Sequence, residues 1–199
     1  MAGDVLAYMD RHGLEQASIL GHSMGGKVAM QLALDHPGRV DRLIVADIAP
    51  VAYPRRHDDV FNGLRAVDTA GLKNRREADA SIGEFVTTAD IRSFLLKNLV
   101  SAGEGKPGYR WRLNLDVIEH DYLNLTAAPD SEGVFEGPTL FLKGGDSDYL
   151  RGEYREEVMK RFPNAQMRVI QETGHWLHAQ KPDAVAAVCR RFLEGKRDD

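Results

Sequence analysis

The sequence predicts an α/β fold, a parallel sheet flanked by helices and interrupted by a helical cap. Three observations carry the prediction. Short apolar runs alternate with amphipathic stretches at both ends of the chain, the pattern of strands joined by crossover helices. The run "VDRLIVAD" is apolar nearly throughout, as a strand buried on both faces requires. From about Ala49 to Phe135 this alternation gives way to helical stretches with charge interleaved and no clear strands.

The elements follow in order. "MAGDVLAYMDRHG" places Val5, Leu6, Tyr8 and Met9 near helical spacing and stops at Gly13. "ASIL" reads as a short strand. "MGGKVAMQLALDHP" is a helix closed by Pro37, and "VDRLIVAD" is the next strand. In the middle, "FNGLRAVD" and "IRSFLLKNLV" read as helices. "PTLFLKGG" then restores a strand, "YREEVMKRF" a helix, "AQMRVIQ" a strand and "KPDAVAAVCRRFLEG" a last helix. The expected organisation is a core over 1–48, a cap over 49–135 and a second core segment over 136–199.

Composition narrows the function. The 199 residues are 43% hydrophobic and 28% charged, with a net charge of -4 and both signs mixed along the chain. That is a globular composition, with no basic tract to attract nucleic acid or an anionic membrane. No apolar run reaches membrane-spanning length. The start has acidic residues and no apolar stretch after a basic one, so the expected location is cytoplasmic. The single cysteine, Cys189, rules out an internal disulfide and lies on an apolar helix face, where it reads as core.

"SILGHSMGGK" holds the chemistry. Ser23 stands where a strand gives way to a helix, with Gly21 two residues before it and Gly25 two after. A turn that sharp strains the serine backbone, and glycines let strand and helix approach without collision. The pattern is G-x-S-x-G, the nucleophile elbow. It exposes the hydroxyl above the carboxyl end of the sheet and leaves the Met24 N–H at a helix N-terminus, facing developing negative charge. A serine hydroxyl needs a base. Of seven histidines, His175 in "ETGHWLH" opens a loop after the last strand, at the same sheet end as Ser23. His22 is expected to point away from the site, and His178 to begin or support the last helix. "RRHDD" shows no metal-ligand spacing. Tyr109 and Trp111 in "YRWRLNL" suit packing of the cap or the lining of an acyl pocket.

The elbow, the cap after the next strand and the late Gly-His loop resemble the α/β-hydrolases, in the order serine, acid, histidine. The chain is more closely similar to the YbfF-like esterases along "GHSMGGK", "DIAPV", "RRHDDVF", "FLLKNLV", "RWRLNLD" and "GHWLHAQKPDAV", which together span essentially its whole length. The resemblance implies the α/β-hydrolase fold. It also implies hydrolysis of a small ester or thioester by Ser23, His175 and an acid, without metal or organic cofactor. Fold and motif leave the substrate open.

Four carboxylates compete for the acid. Asp47 closes the strand after the one that leads into Ser23. Asp146 and Asp148 follow "TLFLKGG", where the superfamily most often keeps its acid, and Asp116 lies in the cap. The resemblance to the YbfF-like branch favours Asp47. It further implies that the elbow strand should follow four earlier ones. About 60 residues are then expected upstream of Met1, among them the loop that donates a second oxyanion N–H. The expectation for such a chain is a bare edge on the elbow strand and a homo-oligomer through it. The alternative reading is a hydrolase-shaped binding protein inactivated by that loss.

Overall fold

The computed structural model describes residues 1–103 and 107–195. The chain opens with α1 (Ala2–Arg11), β1 (Ala17–His22), α2 (Met24–Asp35) and β2 (Val40–Ala46). It continues through α3 (Asp58–Arg65), α4 (Arg75–Gly83), α5 (Ala89–Leu96), β3 (Leu99–Ser101), β4 (Tyr109–Trp111), α6 (Leu115–His120) and α7 (Tyr122–Thr126). It closes with β5 (Thr139–Gly144), α8 (Arg155–Arg161), β6 (Ala165–Ile170), α9 (Leu177–Gln180) and α10 (Pro182–Leu193). Two compact units result: Met1–Tyr53 with the chain from Ala127 onward, and Pro54–Thr126.

The first unit is built on a parallel sheet with strand order β1-β2-β5-β6 among the described residues. Side chains alternate across a strand, and here the alternation sorts the core into two layers. Leu43 and Val45 of β2 and Phe141 of β5 face one way, packing with Met9 of α1, Met30 and Leu32 of α2 and Phe162 after α8. Ile44 and Ala46 of β2, with Leu140 and Leu142 of β5, face the other way, against Leu177 of α9 and Val185 and Cys189 of α10. The continuous apolar run of β2 therefore has a cause, since both its faces are covered. Each such Leu or Ile contributes about 1.5–3 kcal/mol by burial. β1 is an outer strand of this sheet, and its Leu20 is 55% exposed. Register pairs His22 with Ala46 and Ala46 with Leu142, so the carboxyl ends of three strands lie side by side.

The second unit has its own core of Leu64, Val67, Ala78, Ile82, Val86 and Leu99. Asn74 caps α4 by accepting from the N–H groups of Arg76 (3.0 Å) and Glu77 (3.1 Å). The sequence led us to expect no strands here, and that expectation is corrected. β3 and β4 form an antiparallel pair, Leu99 opposite Trp111. "IRSFLLKNLV" is accordingly not one helix: α5 stops at Leu96 and the chain extends from Leu99. A three-residue strand is too short to show alternation, and its apolar residues continue the helical pattern before them. Among the described residues, no helix is long and apolar enough to cross a membrane.

Candidate active site

Ser23 is the one residue between β1 and α2, and it turns the chain with φ 54° and ψ -121°. That positive φ is costly for a residue with a Cβ. The turn is held on both sides. The Ser23 N–H donates to the Ala46 carbonyl of β2 (3.0 Å), and its carbonyl accepts from Gly26 (2.9 Å) and Lys27 (3.2 Å). A Cβ on Gly21 would stand 2.1 Å from the Gly25 carbonyl oxygen, so strand and helix touch backbone to backbone there. The second sterically required glycine is Gly26, not Gly25 as the motif suggested. A Cβ on Gly26 would meet Ile48 Cγ2 at 2.6 Å, whereas one on Gly25 would meet open space.

His175 lies in the loop between β6 and α9. Thr173 fixes that loop by donating its hydroxyl to the Ile170 carbonyl (2.7 Å), and Gly174 N–H donates to Gln180 Oε1 (2.8 Å). The imidazole spans the two neighbouring strand ends. Its Nε2 is 2.9 Å from Ser23 Oγ and its Nδ1 is 2.8 Å from Asp47 Oδ2. A carboxylate can only accept, so the network assigns the proton to Nδ1, and Nε2 accepts from the serine hydroxyl.

Asp47 follows β2 directly, is fully buried and has φ 53°. Its carboxylate accepts from Gly144 N–H (2.9 Å), from the Ser147 hydroxyl and from His175 Nδ1. Burial alone would raise its pKa. The bonds from His175, Ser147 and Gly144 outweigh burial and hold the carboxyl below the ordinary aspartate range. Of the four candidate acids, Asp47 is therefore the one on Nδ1 of His175. Asp146 and Asp148 have exposed side chains. Asp116 pairs with Arg65 (2.9 Å) on α6 in the second unit.

His22 departs from expectation. Its ring does not point away but lies against the 175–178 segment. Its Nε2 donates to the His175 carbonyl (2.8 Å), and its ring centre is 4.7 Å from that of His175 and 4.4 Å from that of His178. Burial is the main reason its pKa falls to about 4. The bond to the His175 carbonyl opposes that fall, and the neighbouring histidines add to it. His178 belongs to the short α9, one element before the last helix. Met24 opens α2, so its N–H has no carbonyl within the helix to bond.

Sequence reasoning missed the supports. Ser147 stands between the two candidate acids Asp146 and Asp148, and it is the hydroxyl that reaches Asp47. Tyr149, two residues on, stacks on the His175 ring at 3.9 Å and 21°. Neither has a spacing signal, because each acts from a loop across the sheet.

Comparison with known proteins identifies the family. Residues 1–182 match the α/β hydrolase fold family. The chain is 37% identical to Esterase YbfF of Escherichia coli (strain K12) over 194 residues, covering 97% of this chain and 73% of that protein. It is 38% identical over 199 residues to the sn-1-specific diacylglycerol lipase ABHD11 of Mus musculus, covering 97% of this chain and 64% of that one. A marine microorganism esterase superposes with a TM-score of 0.91 at 35% identity, covering 96% of this chain and 75% of that structure. The chain thus spans about two thirds to three quarters of the lengths of these relatives. A strained serine at a strand–helix junction, set in a parallel α/β sheet and matched along nearly the whole chain, places this protein in the α/β-hydrolase family.

Proposed function

We propose that the chain is a carboxylic ester hydrolase working through a serine nucleophile on a small ester or thioester. The observation that carries this is the unbroken relay from Ser23 Oγ to His175 Nε2 (2.9 Å) and from His175 Nδ1 to Asp47 (2.8 Å), set on a strained elbow. Relatives bearing the names esterase and diacylglycerol lipase support the same reading.

The chemistry follows from the relay. Ser23 Oγ forms a bond to the substrate carbonyl carbon while His175 Nε2 takes the hydroxyl proton. The carbonyl electrons move to oxygen, where the Met24 N–H and the α2 N-terminus stabilise the charge. The C–O bond to the alcohol (C–S in a thioester) then breaks, and the imidazolium returns its proton to the leaving group. Water, deprotonated in turn by His175, attacks the acyl-enzyme and releases the acid and the free serine. Asp47 keeps the imidazole in one tautomer and stabilises its charged form. Its buried, hydrogen-bonded carboxylate remains ionised while it does so.

A short-chain p-nitrophenyl ester tests the reading. The expected result is a burst of one equivalent of p-nitrophenol per chain, followed by slower turnover, both absent in Ser23→Ala. A folded chain that binds ester with neither burst nor turnover would instead be a binding protein with a hydrolase's shape.

A further inference from the structure

The relay is bordered by three side chains that the mechanism above does not use. Lys27 lies one helical turn beyond Ser23 on α2 and is only 8% exposed. Its ammonium donates to the carbonyls of Val51 (2.6 Å) and Ala127 and stands 4.9 Å from the centre of the Tyr53 ring. Burial pushes its pKa down to about 8. A buried cation is costly unless its protons are bonded, and here the ammonium is bonded to two main-chain oxygens beside the Tyr53 ring. Tyr53 is itself 6% exposed. Its hydroxyl accepts from Ala49 N–H (2.9 Å) and donates to the Tyr149 carbonyl.

Tyr149 completes the path. Its ring lies nearly parallel on the His175 imidazole, centroids 3.9 Å apart at 21°. Its N–H donates to Ser147 Oγ (3.2 Å), the same hydroxyl that donates to Asp47. A chain of contacts therefore runs from the helix that follows Ser23, through Lys27, Tyr53 and Tyr149, back to His175 and Asp47. The imidazole's two hydrogen bonds, at Nδ1 and Nε2, leave the ring free to rock about the line joining those atoms. A flat ring packed parallel against it removes that freedom.

We propose that Lys27, Tyr53 and Tyr149 are positioning residues that hold the His175 imidazole in line with Ser23, the Tyr149 ring being the surface against which it is set. The proposal rests on the hydrolase reading. Misalignment of a base by a fraction of an ångström slows proton transfer without weakening substrate binding, so the effect falls on kcat.

The test uses the full chain and a p-nitrophenyl ester. Tyr149→Leu lowers kcat about tenfold with KM within about twofold. Tyr149→Phe keeps the ring and stays within about twofold of the parent. Tyr53→Phe, which removes the hydroxyl, lowers kcat about threefold to tenfold with KM unchanged. Lys27→Met acts in the same direction. If its melting curve shows that it does not fold, the two tyrosine positions carry the test. Unchanged kcat in Tyr149→Leu, a rise in KM alone, or equal damage in Tyr149→Phe overturns the proposal. If the parent chain gives neither burst nor turnover, the hydrolase reading fails by itself. Positioning is then read from the low-field NMR signal of the His175 Nδ1 proton, sharp in the parent and in Tyr149→Phe and lost in Tyr149→Leu. Its persistence in Tyr149→Leu overturns the positioning role.

Discussion

The ends of β1 and β2 lie side by side in the sheet, and each turns on a non-glycine residue with positive φ: Ser23 at 54° and Asp47 at 53°. The backbone device is shared and the surroundings differ. Ser23 is partly exposed and leads into the N-terminus of a helix. Asp47 is fully buried and leads into a loop, its carboxylate met by three donors. One strand end is left partly open, and the other is closed around a carboxylate. His175 bridges the two. One geometry, a strained turn at a strand's carboxyl end, thus carries a partly exposed hydroxyl in one place and a buried carboxylate in the other. The difference is whether the next segment covers the turn.

The largest effects fall at the open end and its base. Ser23→Ala and His175→Ala should each lower ester turnover by roughly 10⁴-fold or more, with the double variant little worse than either alone. Steady-state kinetics of the three variants checks the non-additivity. Full additivity would mean that the two side chains do not act as a unit.

At the closed end, Asp47→Asn should lower kcat by roughly 10³–10⁴-fold. Asp146→Asn and Asp148→Asn should leave it within about threefold, since their side chains are exposed. If Asp148→Asn were the crippling change, the carboxylate seen on His175 would not be the functional one.

The elbow itself sharpens the contrast through stability. Gly21→Ala drives a Cβ into the Gly25 carbonyl and should lower unfolding free energy by about 1–3 kcal/mol or more. Gly25→Ala meets open space in the first turn of a helix and should be neutral or stabilising by up to about 1 kcal/mol. Denaturant melts of the two variants decide it, and equal losses would contradict the steric difference between two glycines of one motif.

The smallest effect concerns acid stability. Folding lowers the pKa of His22 from 6.5 to about 4. Between those values the unfolded chain holds a proton that the folded chain does not, so stability falls as pH drops through that window and is fully present above it. His22→Gln should flatten the profile of melting temperature against pH between 6.5 and 4. A profile as steep as the parent's would place the proton uptake elsewhere.

Much of this was legible in the sequence, for reasons that belong to particular residues. β2 and β5 were readable because both faces are buried and the apolar run is unbroken. Ser23 was readable because the strain at an elbow demands glycine close by, although the second close contact falls on Gly26 rather than Gly25. His175 was readable from its place after the last strand. Asp47 was one of four candidates, because a carboxylate at a strand end carries no local mark of what meets it across the sheet. Ser147, Tyr149, Tyr53 and Lys27 were not legible at all as supports of the site. Their partners are 24 to 100 residues away or are bare carbonyls, and no periodicity encodes such a contact. The β3–β4 pair was hidden by its brevity.

The relay implies that one hydroxyl in this chain is activated, and a serine-directed organophosphonate measures that directly. After incubation with the intact protein, mass spectrometry of the digested chain should show one adduct, on the peptide bearing Ser23, formed far more slowly in His175→Ala and Asp47→Asn. An unlabelled Ser23, or an adduct on another hydroxyl, would contradict it.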